Sequence, residues 1–201
     1  MSEIRFPVRI MTRFVETLSA ELGHDTLSAV LVKSGLPEEW AHPAHFTALD
    51  DVHAAQAYSR LQAALRTYYG RGARGILLRI GSKLWKCLLD DSAFGLKAQA
   101  AFLHGLPKSL RRKPALDLLA RFLSVSQESV TVHSMDLDLL LVDQASPTTL
   151  DQSDDTPICY VTLGLIRECL YWAVGYEHDI EERACRASGS HQCEFKITIG
   201  G

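Results

Sequence analysis

Apolar positions recur at helical spacing through the first 125 residues and change to a strand pattern after that. Val8, Ile10, Met11, Phe14, Val15, Leu18 and Leu22 mark one helical face, and Leu27, Val30 and Leu31 mark a second after a break at Gly23. Gly35-Leu36-Pro37 stops the run at residue 34, and 37–47 (PEEWAHPAHFT) reads as a proline-marked connection. Thr47, then Asp50 and Asp51, open the next helix, with acids where the helix dipole favours them. It runs through Tyr58, Leu61 and Leu65 to Gly70. Residues 76–89, 93–104 and 109–125 give three more helical stretches. Ser109 is a candidate N-cap for the last, although Pro114 suits a start at Lys113 better.

Strands are expected at 129–133 and 137–142. The polar tract 143–156 (DQASPTTLDQSDDT) reads as a mobile loop with solvated acids. Residues 160–174 are apolar on nearly every face, so a central helix packed on all sides is expected there, ended by Gly175. Strands 177–187 and 192–199 follow, joined by a turn at 188–191, with Cys193, Phe195, Ile197 and Ile199 on one face of the second. Helices followed by strand pairs around one buried helix make an α+β chain. Its division is a helical segment 1–46, which either packs on its own domain or pairs with a second copy, and a main domain 47–201.

GRGARG at 70–75 matches the G-x-G-x-x-G pattern. The dinucleotide fingerprint needs a strand before it and a helix after it, whereas a helix precedes this one, so a helix–helix corner is expected. Gly81 lets another element approach closely, and Cys87 reads as a small buried hydrophobe. The KSLRRK run at 108–113 reads as a solvated helix start.

Composition adds little to this picture. The 201 residues are 47% hydrophobic with net charge −3, which gives no reason to expect binding to a nucleic-acid backbone. The first twenty residues carry charge throughout and do not resemble a secretion signal, and no apolar run would span a membrane. A cytoplasmic location is expected, where five cysteines are more naturally thiols or metal ligands than disulfides.

The candidate chemistry gathers near the C-terminus. Cys185 and Cys193 lie on opposite arms of the last hairpin, and Cys159 stands at the start of the central helix, where the dipole helps hold a thiolate. Three thiolates and one further ligand suit tetrahedral zinc. Glu182, Glu181 and His191 compete for the fourth place. In a regular strand Glu182 and Cys185 point to opposite faces, so Glu182 joins only if a bulge or a strong twist re-aims it.

The stretch 157–199 resembles the C-terminal signature of the 4-vinyl reductase domain family. That signature is a P-x-C before a helix, a Gly and Trp within it, then a Gly, E-x-x-C, a small-Gly turn and C-x-F. Pro157/Cys159, Gly164, Trp172, Gly175, Glu182/Cys185, Gly189 and Cys193/Phe195 supply it here. The family includes bacteriochlorophyll-synthesis proteins and the sensory domains of phenol-responsive activators. In the latter, a cysteine, an E-x-x-C pair and a further cysteine hold structural zinc, so the resemblance favours Glu182 over its competitors.

The resemblance further implies helices packed on a twisted antiparallel sheet, of the TRAPP-subunit-like or NO-signalling ligand-binding type, in a homodimer. It implies a small hydrophobic or aromatic ligand held between helices and sheet, with a tetrapyrrole as one option. Trp85, Phe102, His104, His133, Trp172 and Tyr176 are the main candidates for its contacts, with Phe94 and Tyr171 behind them. The expected function is a zinc-stapled sensor or carrier. The alternatives are a role in tetrapyrrole synthesis, as vinyl reductase or pigment-delivery accessory, and an interaction scaffold of the tethering-subunit type. No G-x-x-x-x-G-K-[ST] loop and no evident helix-turn-helix is present, so another protein would read any signal.

Overall fold

The computed structural model describes residues 3–124 and 129–199. Helices α1 (Val8–Leu22) and α2 (His24–Lys33) meet at Gly23, whose φ of 81° supplies the break the sequence announces. The connection that follows is not bare loop: it holds a 3-10 turn (Glu38–Ala41) and the short α3 (Pro43–Phe46). Next come α4 (Asp51–Tyr69), capped by Asp50, and α5 (Ala73–Asp90). GRGARG is the corner between them, with a helix on each side as expected.

Helices α6 (Phe94–Gly105) and α7 (Lys108–Leu123) complete the first part. The start of α7 corrects the sequence reading: Pro107 is the N-cap, and Pro114 lies inside the helix. Arg111 makes this possible by donating to the Leu106, His104 and Ala173 carbonyls at 2.6, 2.7 and 3.3 Å, which anchors the first turn before the proline is reached. The helix ends at Leu123, and the expected end at Val125 lies outside the described residues. Cys87 is half-buried rather than buried.

Strands β1 (Val130–Met135) and β2 (Asp138–Asp143), helix α8 (Tyr160–Val174) and strands β3 (Asp179–Ala184) and β4 (Cys193–Thr198) follow. The four strands form one antiparallel sheet in the order β1-β2-β4-β3. The terminal strands are shorter than expected because the chain turns into a 3-10 turn at Arg186–Ser188, closed by Gly189 at φ 92°. In β4, Cys193, Phe195 and Ile197 are buried in alternation, as the pattern requires.

Helix α8 is central. It packs most closely on α5, then on α7, and touches β3 near its own start. The α5–α8 crossing depends on two glycines: a Cβ on Gly81 would fall on the Val161 carbonyl, and one on Gly164 on the Leu78 carbonyl. Helix α1 covers α5 from the other side and buries Ile10, Met11, Phe14, Val15 and Leu18 in the same core. No described helix is long and apolar enough to cross a membrane.

The tract 143–156 corrects a second expectation. Asp143, Ser146, Thr148 and Thr149 are buried, and the segment is tied down along α4. Ser59 donates to the Leu150 carbonyl at 2.6 Å, Gln62 to Thr148 Oγ1 at 3.1 Å, and Arg66 to Gln152 Oε1 at 2.8 Å. Its buried polar side chains serve the backbone and α4, while Asp151 and Asp155 are exposed as expected of solvated acids.

Candidate metal centre

Three elements bring four side chains together. Cys159 is the N-cap residue of α8. Glu182 lies in β3 opposite Phe195, while Ala184 pairs with Glu194, so Arg183 is an extra residue bulged out of the ladder. The bulge moves the strand's side-chain alternation by one position. It turns Glu182 and Cys185 inward together and sends Arg183 outward to an ion pair with Glu194 at 2.7 Å. Cys193 opens β4 on the inward face.

The ligand atoms of Cys159, Glu182, Cys185 and Cys193 all lie within 4.8 Å of one another, and this is the one group of its kind among the described residues. The three cysteines are fully buried and Glu182 is 8% exposed. The Cys159 sulfur lies 3.6 Å from that of Cys193 and 3.9 Å from that of Cys185. Tetrahedral zinc with bonds of ~2.3 Å separates its sulfurs by about 3.8 Å, so the thiols already stand at ligand spacing. The competitors Glu181 and His191 are exposed and outside the group.

Backbone amides orient the donors. The Cys159 N–H donates to Glu182 Oε2 at 2.9 Å, and the Arg186 N–H donates to the Cys193 sulfur at 3.4 Å. Glu182 Oε1 is buried and has no hydrogen-bond partner among the described residues. A carboxylate with one oxygen fixed by an amide and the other orphaned beside three thiols is arranged to meet a cation.

Electrostatics agree. Cys159 is pushed well up by its hydrogen bonds to Cys185 and Cys193 and by burial, while Cys185 is held low by hydrogen bonds from its neighbours, Cys159 first. Burial and then the Cys185 charge push Glu182 up to about 8. Burial and mutual repulsion oppose several negative charges at this point, and a divalent cation would stabilise them.

The sequence did not point to two neighbours of this group. Ser146 Oγ sits 3.6 Å from the Cys159 sulfur, and Asp143 is cross-strand from Cys193. Asp143 is buried and pushed up to about 6 by desolvation. Its one sequence signal is an acid ending the apolar run Leu139–Val142.

The candidate ligand residues divide. Trp85 and Trp172 meet edge to face with ring centroids 5.6 Å apart, and His104 sits 4.6 Å from Trp172. Trp85 is fully buried and also meets Phe122 at 5.8 Å. Phe102 and Phe94 stand exposed on α6, and Tyr171 and Tyr176 are half exposed, the latter paired with Arg112. His133 is exposed on β1 beside Thr131. The six main candidates therefore do not converge on one cavity.

Open clefts lie elsewhere. One of about 540 Å³ runs between α8 and β3, lined by Pro157, Tyr160, Leu163, Ile180 and Glu182 of the four-residue group. A second of about 470 Å³ at the α4–α5 corner shares Arg74 and Tyr160 with it. A third of about 450 Å³ lies between Lys33 and Tyr68. Between Phe6, Tyr58 and Asp143 there is a void of only about 40 Å³.

No protein-family model matches the chain, and no curated protein does. Solved structures do. An unliganded Fe(II) H-NOX protein from K. algicida matches over 96% of both chains, with a TM-score of 0.55 and 13% identity. An H-NOX structure from a study of heme distortion matches over 96% of this chain and 94% of that one, at 0.56 and 14%. An oxygen-binding H-NOX domain related to soluble guanylate cyclases matches at 0.52 and 14% over the same shares. A trafficking protein particle complex subunit 3 from Naegleria fowleri, bound to palmitic acid, covers 73% of this chain at 0.48 and 16%, a likeness too slight to fix a fold. At these identities what is shared is architecture: the chain has the H-NOX type of α+β fold, one of the two expected.

Proposed function

We propose that this chain is a zinc-stapled small-molecule-binding domain that works as a sensor or carrier. The observation that carries the metal half is the buried Cys159–Glu182–Cys185–Cys193 group with its orphaned Glu182 oxygen. Zinc is the preferred ion because thiolates select soft or borderline metals, and three sulfurs at near-tetrahedral spacing suit its geometry. Four protein ligands close the coordination shell, so the ion would clamp the start of α8 to the terminal hairpin and contribute stability.

The fold supports the small-molecule half. H-NOX neighbours are described with heme, oxygen and carbon monoxide or nitric oxide complexes. A histidine-ligated heme finds no axial ligand in the large clefts of the described residues. All eight histidines are exposed or half-buried, and none lines the three large clefts. The better place for a ligand is the α8–β3 cleft, whose size and mixed lining are those of small-molecule sites and which Glu182 shares with the metal group. A ligand there would touch the staple directly.

Native mass spectrometry of the purified protein tests both halves. One zinc per chain with a small organic molecule retained is the expected result. Zinc-free protein indifferent to chelators would overturn the staple. Zinc-loaded protein that retains and takes up no small molecule would instead favour the scaffold reading.

A further inference from the structure

The α4–α5 corner carries chemistry that the metal group does not use. Helix α4 ends on Gly70, which adopts a φ of 54°, and a 3-10 turn leads directly into α5. The cleft here, about 470 Å³, is lined by Arg66, Arg71, Arg74, Tyr160 and Asp154, together with Gly70 and Ala73. We propose that it binds the phosphate group of a small phosphorylated ligand.

Charge is the first argument. Three guanidiniums face one carboxylate, and that carboxylate is engaged: Asp154 Oδ1 accepts from the Thr156 N–H at 3.1 Å and from its hydroxyl at 3.0 Å. No ion pair with a carboxylate is formed by Arg66, Arg71 or Arg74 among the described residues. The net positive excess matches a phosphate monoester, which carries ~1.5–2 negative charges at neutral pH.

Arg66 is what separates this site from a solvated basic corner. Its Nη2 donates to Gln152, while its Nη1 is buried with no hydrogen-bond partner among the described residues. A guanidinium drawn in from water with an unused donor is costly unless an anion completes it. Burial already works against its charge. Arg74 is steadied differently, its guanidinium lying 5.9 Å from the centre of the Tyr160 ring.

The backbone adds to the case. Helix α5 is 18 residues long and has no acid in its first turn, so its positive end is uncompensated. Gly70, whose φ of 54° ends α4, lines the cleft and brings side-chain-free backbone to its wall. The rest of the ligand has room to extend past Arg74 and Tyr160 into the α8–β3 cleft.

The inference stands apart from the zinc reading, and recording metal content in each sample keeps the two separable. The test is calorimetric titration of the full chain with phenyl phosphate, inorganic phosphate and benzoate, at ionic strength matched with sodium chloride. Phenyl phosphate should bind saturably at one site, about tenfold or more tighter than benzoate. Arg66→Gln and Arg74→Gln should each weaken it about tenfold, the loss expected for one charge-assisted hydrogen bond. The exposed double variant R71Q/R74Q keeps the test open if Arg66→Gln misfolds. Absence of saturable binding, equal affinity for benzoate, or unchanged affinity in the arginine variants would each overturn the proposal.

Discussion

The two ends of α8 are built on opposite principles. Its C-terminal end is finished with what the chain itself supplies. Gly175 closes the helix in the left-handed conformation, Arg111 donates to the Ala173 carbonyl, and Trp172 packs on Trp85 and His104. Its N-terminal end gathers three thiols and a carboxylate with one oxygen unmatched. Packing satisfies apolar groups in any number, because dispersion contacts add. Buried acids at one point repel, and only a cation turns their proximity into stability. One end is finished by packing and backbone hydrogen bonds, with the Trp85 indole nitrogen a buried donor lacking a partner among the described residues, and the other gathers buried acids that a cation would stabilise.

Removing the ion should separate them most sharply. Chelation, or Cys185→Ser, should cost on the order of 5 kcal/mol or more, since metal binding at such sites is folding free energy. The measurement is thermal unfolding alongside zinc content by elemental analysis. A Cys185→Ser protein that kept both its melting temperature and its zinc would abolish the contrast. At the other end, Trp85→Ala should cost about 3–5 kcal/mol, as for other fully buried tryptophans. Zinc stoichiometry should not change. Loss of zinc there would mean that the two ends form one cooperative unit.

The contrast also explains how much the sequence could say. That Cys159, Glu182, Cys185 and Cys193 come together was legible because residue types and spacing of that kind are restrictive. Even the parity conflict at Glu182 was useful, since it required a bulge or a strong twist, and Arg183 is the bulge. The aromatic end was not legible in the same way. Trp85 and Trp172 are ordinary core residues by type, and periodicity does not say whether such residues line a cavity or fill it. Phe102 and Tyr176 look like pocket residues by composition and are exposed. The polar tract 143–156 misled for a related reason: Ser146 and Thr148 are buried through hydrogen bonds to parts of the chain far away in sequence. Helix–strand order and the close approach at Gly81 followed from local pattern and were readable; its partner Gly164 and the start of α7, which Arg111 anchors through the Leu106, His104 and Ala173 carbonyls, were not.

Between the two ends, the glycine crossing should carry strain to both. Gly164→Ala places a methyl on the Leu78 carbonyl, so α5 and α8 must part. Overpacking of this kind costs about 1–3 kcal/mol. Because the shift moves Cys159 and Trp172 together, the expected outcome is a lower melting temperature with weaker zinc retention, read by competition with a chromogenic chelator. Unaltered zinc affinity would show that the hairpin follows α8 as it moves.

Asp143 offers the finest division, because it is a buried acid next to the metal group that takes no part in it. Its carboxylate accepts the Ala145 N–H at 3.0 Å, and desolvation raises it from 3.8 to about 6. The folded state therefore holds its proton more tightly than the unfolded state. The associated stability is full below about pH 4, falls as pH rises through 6, and is absent above that. A shift of this size corresponds to on the order of 2–3 kcal/mol. Asp143→Asn should flatten the decline in stability between pH 4 and 6, and at pH 7 it should match or exceed the parent, provided the amide oxygen keeps the Ala145 contact. Denaturant unfolding at several pH values, on zinc-loaded protein, reads the slope directly. If the slope is unchanged in the variant, Asp143 is hydrated in the folded state through the small void beside it, and the metal group is the only buried site of charge at this end of α8.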